Sequence, residues 1–131
     1  MKDQSLFLAV CKDKPEDPDG FYYTVYLVNN SASTLTNVRM ETYGYCTMDD
    51  ELVTTSTYTE NFGELAPFSA LEIENDDDGT FDFVILFTFE YNLNGAVKKH
   101  TFQIDKYMRG GVKPFSPLPV LNKLGRVFYK N

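Results

Sequence analysis

The amino-acid sequence predicts an all-β fold: an antiparallel β-sandwich of about seven to eight strands that ends in an extended C-terminal arm. Three observations predict it. Short β-branched, aromatic or apolar runs recur along residues 5–107, each bounded by turn residues. Residues 81–93, FDFVILFTFEYNL, alternate with a period of two. They set Phe81, Phe83, Ile85, Phe87, Phe89, Tyr91 and Leu93 on one face, the pattern of a strand lying on a core. No window sustains a 3.6-residue period with helix caps. A small barrel is the alternative way to close such strands.

The elements follow in order. SLFLAVCK (5–12) is a continuous apolar run, and DKPEDPDG (13–20) stops it with two prolines and an Asp-Gly turn. FYYTVYLVN (21–29) is β-branched and aromatic throughout. After the polar turn NSAST, LTNVRMETYGYCTM (35–48) places Val38, Met40 and Thr42 on one face and Arg39, Glu41 and Tyr43 on the other. DDE then turns the chain into one strand, LVTTSTYTE (52–60). In NFGELAPFSALEIEN (61–75), Gly63 and Pro67 precede an alternation of Leu71 and Ile73 against Glu72 and Glu74, which marks a half-buried strand. NDDDGT (75–80) is a turn before the 81–93 strand. Asn94-Gly95 closes a hairpin onto AVKKHTFQIDKY (96–107), with Phe102 and Ile104 facing in.

At 131 residues, 43% of them hydrophobic, the chain is long enough for one domain and too apolar for a disordered segment. The expected division is a sandwich over 1–107 and an arm over 108–131. No run approaches the ~20 apolar residues of a membrane-spanning helix. The first apolar run is too short for a signal-peptide core, so the expected compartment is the cytoplasm unless a leader has been trimmed. Cys11 and Cys46 sit in apolar runs and read as buried free thiols, with a single disulfide between them as the alternative.

Charge is distributed unevenly. The chain carries a net −7, yet residues 107–131 hold five bases and no acid, while residues 1–106 hold all nineteen acids. Such a body repels nucleic acid and anionic membranes, so neither is an expected partner. It attracts cations, and the nearest cationic partner is its own tail. In that tail, RGG (109–111) loosens the chain and Pro114, Pro117 and Pro119 hold it extended. Val127, Phe128 and Tyr129, with Val120, Leu121 and Leu124, are too apolar for a solvated tail. RVFYK has strand composition and is expected to add to a sheet edge. That edge belongs to the same sandwich, to a second copy in a homodimer built through the arm, or to another protein.

VYLVNNSASTLTNVRME (25–41) followed by FGELAPFSALEIE (62–74) resembles bacterial immunoglobulin-like domains of the CARDB and FxLYD type. The residues that carry the resemblance are Asn29, Asn30, Asn37, Val38, Leu65 and Pro67, within about 40% of the chain. Such domains often place Gly after the Pro, where this chain has Phe68, and the basic tail lies outside their pattern. The resemblance implies an immunoglobulin-like sandwich that binds, spaces or decorates without catalysis, and it implies no ligand.

Chemistry-bearing constellations are sparse. His100 shares a face with Phe102 and Ile104 and reads as a partly buried strand histidine, with no G-x-S-x-G nucleophile elbow to serve. The turns offer Asp13, Asp17 and Asp19, and Asp76, Asp77 and Asp78, as calcium candidates. Neither turn has EF-hand spacing, and Asp suits turns for its own backbone reasons. Nineteen acids guarantee some chance carboxylate pair at glycosidase distance, and the sequence singles out none. No cofactor is expected. Tyr22, Tyr26, Tyr43 and Tyr45 on two neighbouring strands would make a sticky outward face. The expected function is therefore a non-enzymatic binding or structural module acting through protein contacts. The alternatives are an acidic inhibitor or immunity-type protein masking a basic partner, and a calcium- or carbohydrate-binding sandwich.

Overall fold

A computed structural model describes residues 5–76, 83–104, 116–117 and 120–129. Ten strands run through them: β1 (Leu6–Cys11), β2 (Tyr23–Asn29), β3 (Leu35–Met48), β4 (Glu51–Thr54), β5 (Tyr58–Leu65), β6 (Ser69–Asp76), β7 (Val84–Leu93), β8 (Ala96–Ile104), β9 (Ser116–Pro117) and β10 (Leu124–Tyr129). All described pairings are antiparallel. Sheet one has the order β6-β2-β1-β10-β9, and sheet two the order β4-β3-β7-β8. β5 joins β3 on the edge that β4 also uses, β4 taking the C-terminal end of that long strand. The two sheets oppose each other across a shared core and do not close into a barrel.

Alternation decides which residues enter that core. Leu6, Leu8 and Val10 of β1 and Val25 and Leu27 of β2 meet Val38, Met40, Ile85, Phe87, Phe89, Phe102 and Ile104 of sheet two. The expected apolar face of 35–48 is thus the buried one, as is that of 81–93 from Ile85 to Tyr91, and Arg39, Glu41 and Tyr43 face solvent. Phe89 and Phe102 meet edge to face with ring centroids 5.8 Å apart. Truncating either to Ala would cost about 3–5 kcal/mol.

In sheet one, β1 and β2 are buried on both faces. Phe7, Ala9, Cys11, Tyr26 and Val28 form a second apolar cluster on its outer side, with Ala70, Val120, Leu121, Val127 and Tyr129 packed against it. Double burial explains why 5–12 reads as a continuous apolar run and not as an alternation. β10 serves both sides: Phe128 touches the main core, whereas Val127 and Tyr129 touch the outer cluster. β10 pairs with β1 of its own chain, Phe7 opposite Tyr129 and Val10 opposite Arg126. The expected boundary at 107/108 lies outside the described residues.

Two hairpins turn through left-handed residues. Asn94 and Gly95 have φ of 51° and 83°, the geometry of the type I′ turn that the Asn-Gly pair predicts. Asp49 and Asp50, φ 50° and 64°, join β3 to β4 in the same way; Asp tolerates this region better than most side chains. One expectation is corrected. Residues 52–60 are not one strand but two, β4 and the start of β5, broken at 55–57. The cause is a pair of bonds across to β3: the Thr55 N–H donates to the Gly44 carbonyl, and the Gly44 N–H donates to Thr55 Oγ1, each at 2.8 Å.

Candidate functional site

A β-bulge builds the site. β6 pairs with β2 so that Glu72 stands opposite Tyr26 and Glu74 opposite Val25, leaving Ile73 as the extra residue. One inserted residue reverses the alternation beyond it. Glu74 and then Asp76, opposite Tyr23, therefore turn to the inner side of sheet one, the side of Val25. The expected placement of Glu74 on the outer face is overturned by this bulge.

The two carboxyl groups enter a cleft of about 510 Å³ at one end of the inter-sheet space. Its other walls are Thr42, Tyr43, Gly44, Thr55, Ser56, Tyr58, Phe83 and Ile85. Gly44 is needed there because a Cβ would stand 3.3 Å from the Val84 carbonyl oxygen and 3.4 Å from Phe83 Cβ. Burial pushes the Glu74 carboxyl up to about 9, and its hydrogen bond to Asp76 and that residue's charge push the same way. Glu74 thus holds its proton more tightly than an ordinary carboxyl group. At the mouth, the Tyr58 hydroxyl donates to Glu60 Oε1 at 2.7 Å.

Beside the cleft, β4 and the end of β3 form a ribbon. All four β4 residues are exposed, Leu52 by 68% and Val53 by 37%. Tyr43 and Tyr58 add exposed aromatic surface next to it. Residues 40–97, which include β4 to β7, contain thirteen acids and no Lys, Arg or His. Asp49, Asp50 and Glu51 lie at the turn into β4, so the ribbon presents apolar surface and negative charge together.

A second polar cluster lies on the outer side of sheet one. Asp13 Oδ1 accepts from the Thr24 hydroxyl and Oδ2 from the Tyr26 hydroxyl, each at 2.6 Å. Lys123 donates to Asp13 Oδ2 at 2.9 Å and to the Tyr26 oxygen at 2.8 Å, and its ammonium lies 5.0 Å from the centre of the Tyr26 ring. Lys14 bonds Glu72 at 2.9 Å and also reaches Asn75. These contacts fasten the 13–14 loop and the turn before β10 onto β2 and β6.

The residues singled out in the sequence are dispersed. Tyr22 and Tyr26 belong to β2 and its approach in sheet one, Tyr43 and Tyr45 to β3 in sheet two, so the four do not share a face. Tyr26 is buried and Tyr22 packs on the main core, while Tyr43 is exposed and Tyr45 half-buried. Val127, Phe128 and Tyr129 are half-buried in β10. Asp17 spends Oδ2 on the N–H groups of Asp19 and Phe21, at 3.1 and 3.0 Å, which is turn chemistry. Asp77 and Asp78 lie outside the described residues, and among the described ones no three metal-ligating side chains converge. Cys11 is buried, Cys46 is half-buried, and both are free thiols. His100 is half-buried beside Tyr91, ring centroids 6.0 Å apart. The sequence reading missed the Glu74–Asp76 pair. Its signal was a two-residue spacing in EIEND, which puts both acids on one strand face.

Comparison with known proteins finds no matching family model, no curated relative and no similar solved structure.

Proposed function

We propose that the protein is a non-catalytic binding module of immunoglobulin-like type, acting through protein contacts at the end that carries the β3–β4 ribbon and the cleft. One observation carries the reading: the ribbon leaves all of β4 in solvent, with Leu52 and Tyr43 exposed on its outer face and Val53 and Tyr58 exposed on the face that borders the cleft. Apolar and tyrosine surface rimmed by polar groups is the composition of protein-binding patches. The likeness to CARDB and FxLYD domains supports the same habit. The lack of bases over residues 40–97 also supports the narrower version in which the module masks a basic partner.

The test is a photo-crosslinking amino acid at position 52, with position 97, also 68% exposed, as the control. A discrete adduct at 52 and none at 97 is expected in the native cell. The captured protein, purified, should then bind the wild-type chain, and Leu52→Glu should weaken that binding tenfold or more. Equal capture at both positions, or binding indifferent to Leu52→Glu, would overturn the reading.

A further inference from the structure

We propose that the open edge of β4 takes an extended, basic and apolar segment of a partner protein as an added strand; the proposal rests on the binding-module reading and specifies the partner's chemistry. Among the described residues, β4 pairs only with β3 and ends its sheet. Its outward row of N–H and C=O groups is therefore open to an incoming strand.

Exposed edges are normally blunted by lysine, proline or a bulge. β8 carries Lys98 and Lys99, β6 contains the bulge at Ile73, and β9 contains Pro117. β5 pairs through irregular register near Gly63. β4, Glu51-Leu52-Val53-Thr54, is short and opens on an acid, but it has no lysine, proline or bulge and pairs in unbroken register. It is the least guarded edge against a basic segment among the described strands, and it is also the most apolar at its surface.

Charge selects the occupant. Asp49, Asp50 and Glu51 stand at one end of β4. Val53 lies opposite Cys46, whose alternation places it on the side of Thr42 and Gly44, the wall of the cleft that holds Glu74 and Asp76. An added strand would set alternate side chains against Leu52 on one side and towards this carboxyl pair on the other. Apolar residues fit the first row, and Lys or Arg fits the second. The net charge of −7 and the same three acids at each copy's turn oppose docking of two β4 edges on each other.

The probe is a capped nine-residue peptide alternating lysine with valine, added to the full chain. Matched peptides carry glutamate for lysine, or methylated amides on alternate residues. Expected are saturable binding by calorimetry and slowed hydrogen exchange confined to residues 51–54 and their β3 partners. Affinity should fall at least tenfold between ~50 and ~500 mM salt. Both matched peptides should lose binding. Leu52→Lys should weaken it tenfold or more, and because Leu52 is exposed, an unchanged melting temperature will certify the fold. Leu52→Thr, which keeps the edge and the charge, should weaken it less. Absence of binding, exchange protection elsewhere, or indifference to Leu52→Lys overturns the proposal. So does concentration-dependent protection of β4 without peptide, which would mean a second copy occupies the edge. A crosslinked partner that is acidic, or that binds without protecting residues 51–54, overturns it while leaving the binding-module reading intact.

Discussion

Lys123 Nζ stands 2.9 Å from Asp13 Oδ2, and this contact joins residues 110 positions apart. It fastens the turn before β10 to the loop after β1. The bond is partly solvated, with the Lys123 side chain 44% and the Asp13 side chain 15% exposed. Lys123→Met should therefore cost only about 1 kcal/mol. Asp13→Ala also strips the Thr24 and Tyr26 hydroxyls of their acceptor and should cost about 2 kcal/mol. Urea denaturation measures both. Equal, near-zero costs would mean that the cluster does not hold β10.

Stability should respond to pH at both ends of the scale. Burial raises the Asp13 pKa, but hydrogen bonds from Thr24, Tyr26 and Lys123 outweigh it and hold the carboxyl below its ordinary value. Its contribution is present above the unfolded pKa of 3.8 and fades as pH falls through the lower folded value. Glu74 has the opposite sign. Its folded pKa, about 9 against an ordinary 4.5, favours the protonated native state. That contribution is complete below pH 4.5 and declines until pH passes 9. The slope should stay under the ~1.4 kcal/mol per pH unit of one whole proton, because Glu74 is only half-buried. Glu74→Gln should flatten the alkaline limb, and Asp13→Asn the acid limb. A wild-type curve level from pH 5 to 9 would refute the Glu74 assignment.

The two thiols should react at very different rates. Burial pushes Cys11 up to about 11, and the charge of Asp13 adds to the effect. A protonated thiol in the outer apolar cluster is a poor nucleophile. An aromatic disulfide reagent at pH 8 should label half-buried Cys46 first and Cys11 at least a hundredfold more slowly. Lys123→Met removes a charge that favours the thiolate and should slow Cys11 labelling further without changing Cys46. Equal rates for the two thiols in the native chain would contradict this burial.

Phe68 holds φ at 49° in the turn between β5 and β6, with its ring 58% exposed. A non-glycine residue in that region costs roughly 1–2 kcal/mol, while glycine costs roughly 0.5–1 kcal/mol of chain entropy. Phe68→Gly should therefore stabilise the fold by about 0.5 kcal/mol, and Phe68→Ala should not. A loss exceeding about 1 kcal/mol in Phe68→Gly would show that the ring, not the backbone, matters at this turn.

Much of the fold is written in local patterns. The period of two over 81–93 and 35–48 identified buried faces that the described part of each strand keeps, Phe87 and Phe89 in one strand and Val38 and Met40 in the other. Asn94-Gly95 announced its own turn. The site is less legible, because long-range choices create it. Glu74 points inward through a bulge that depends on pairing with β2, and no local signal in LEIEN marks Ile73 as the extra residue. Thr55 breaks 52–60 by bonding a glycine eleven positions away. Tyr26 and Tyr43 part company because their strands join different sheets, which neither strand encodes alone.

The distance between β1 and its partner β10 imposes an order of events. All strands of sheet two lie between residues 35 and 104, so that sheet can assemble from near neighbours. β1 must wait for a strand more than a hundred residues downstream, and such distant closures are slow. While a ribosome is still translating the segment that precedes Leu124, the first strand has β2 on one side and a bare row on the other. Any message cut short there would yield a nascent chain with Phe7 and Ala9 uncovered, and chaperones and proteases, rather than a partner, would be the first to meet it.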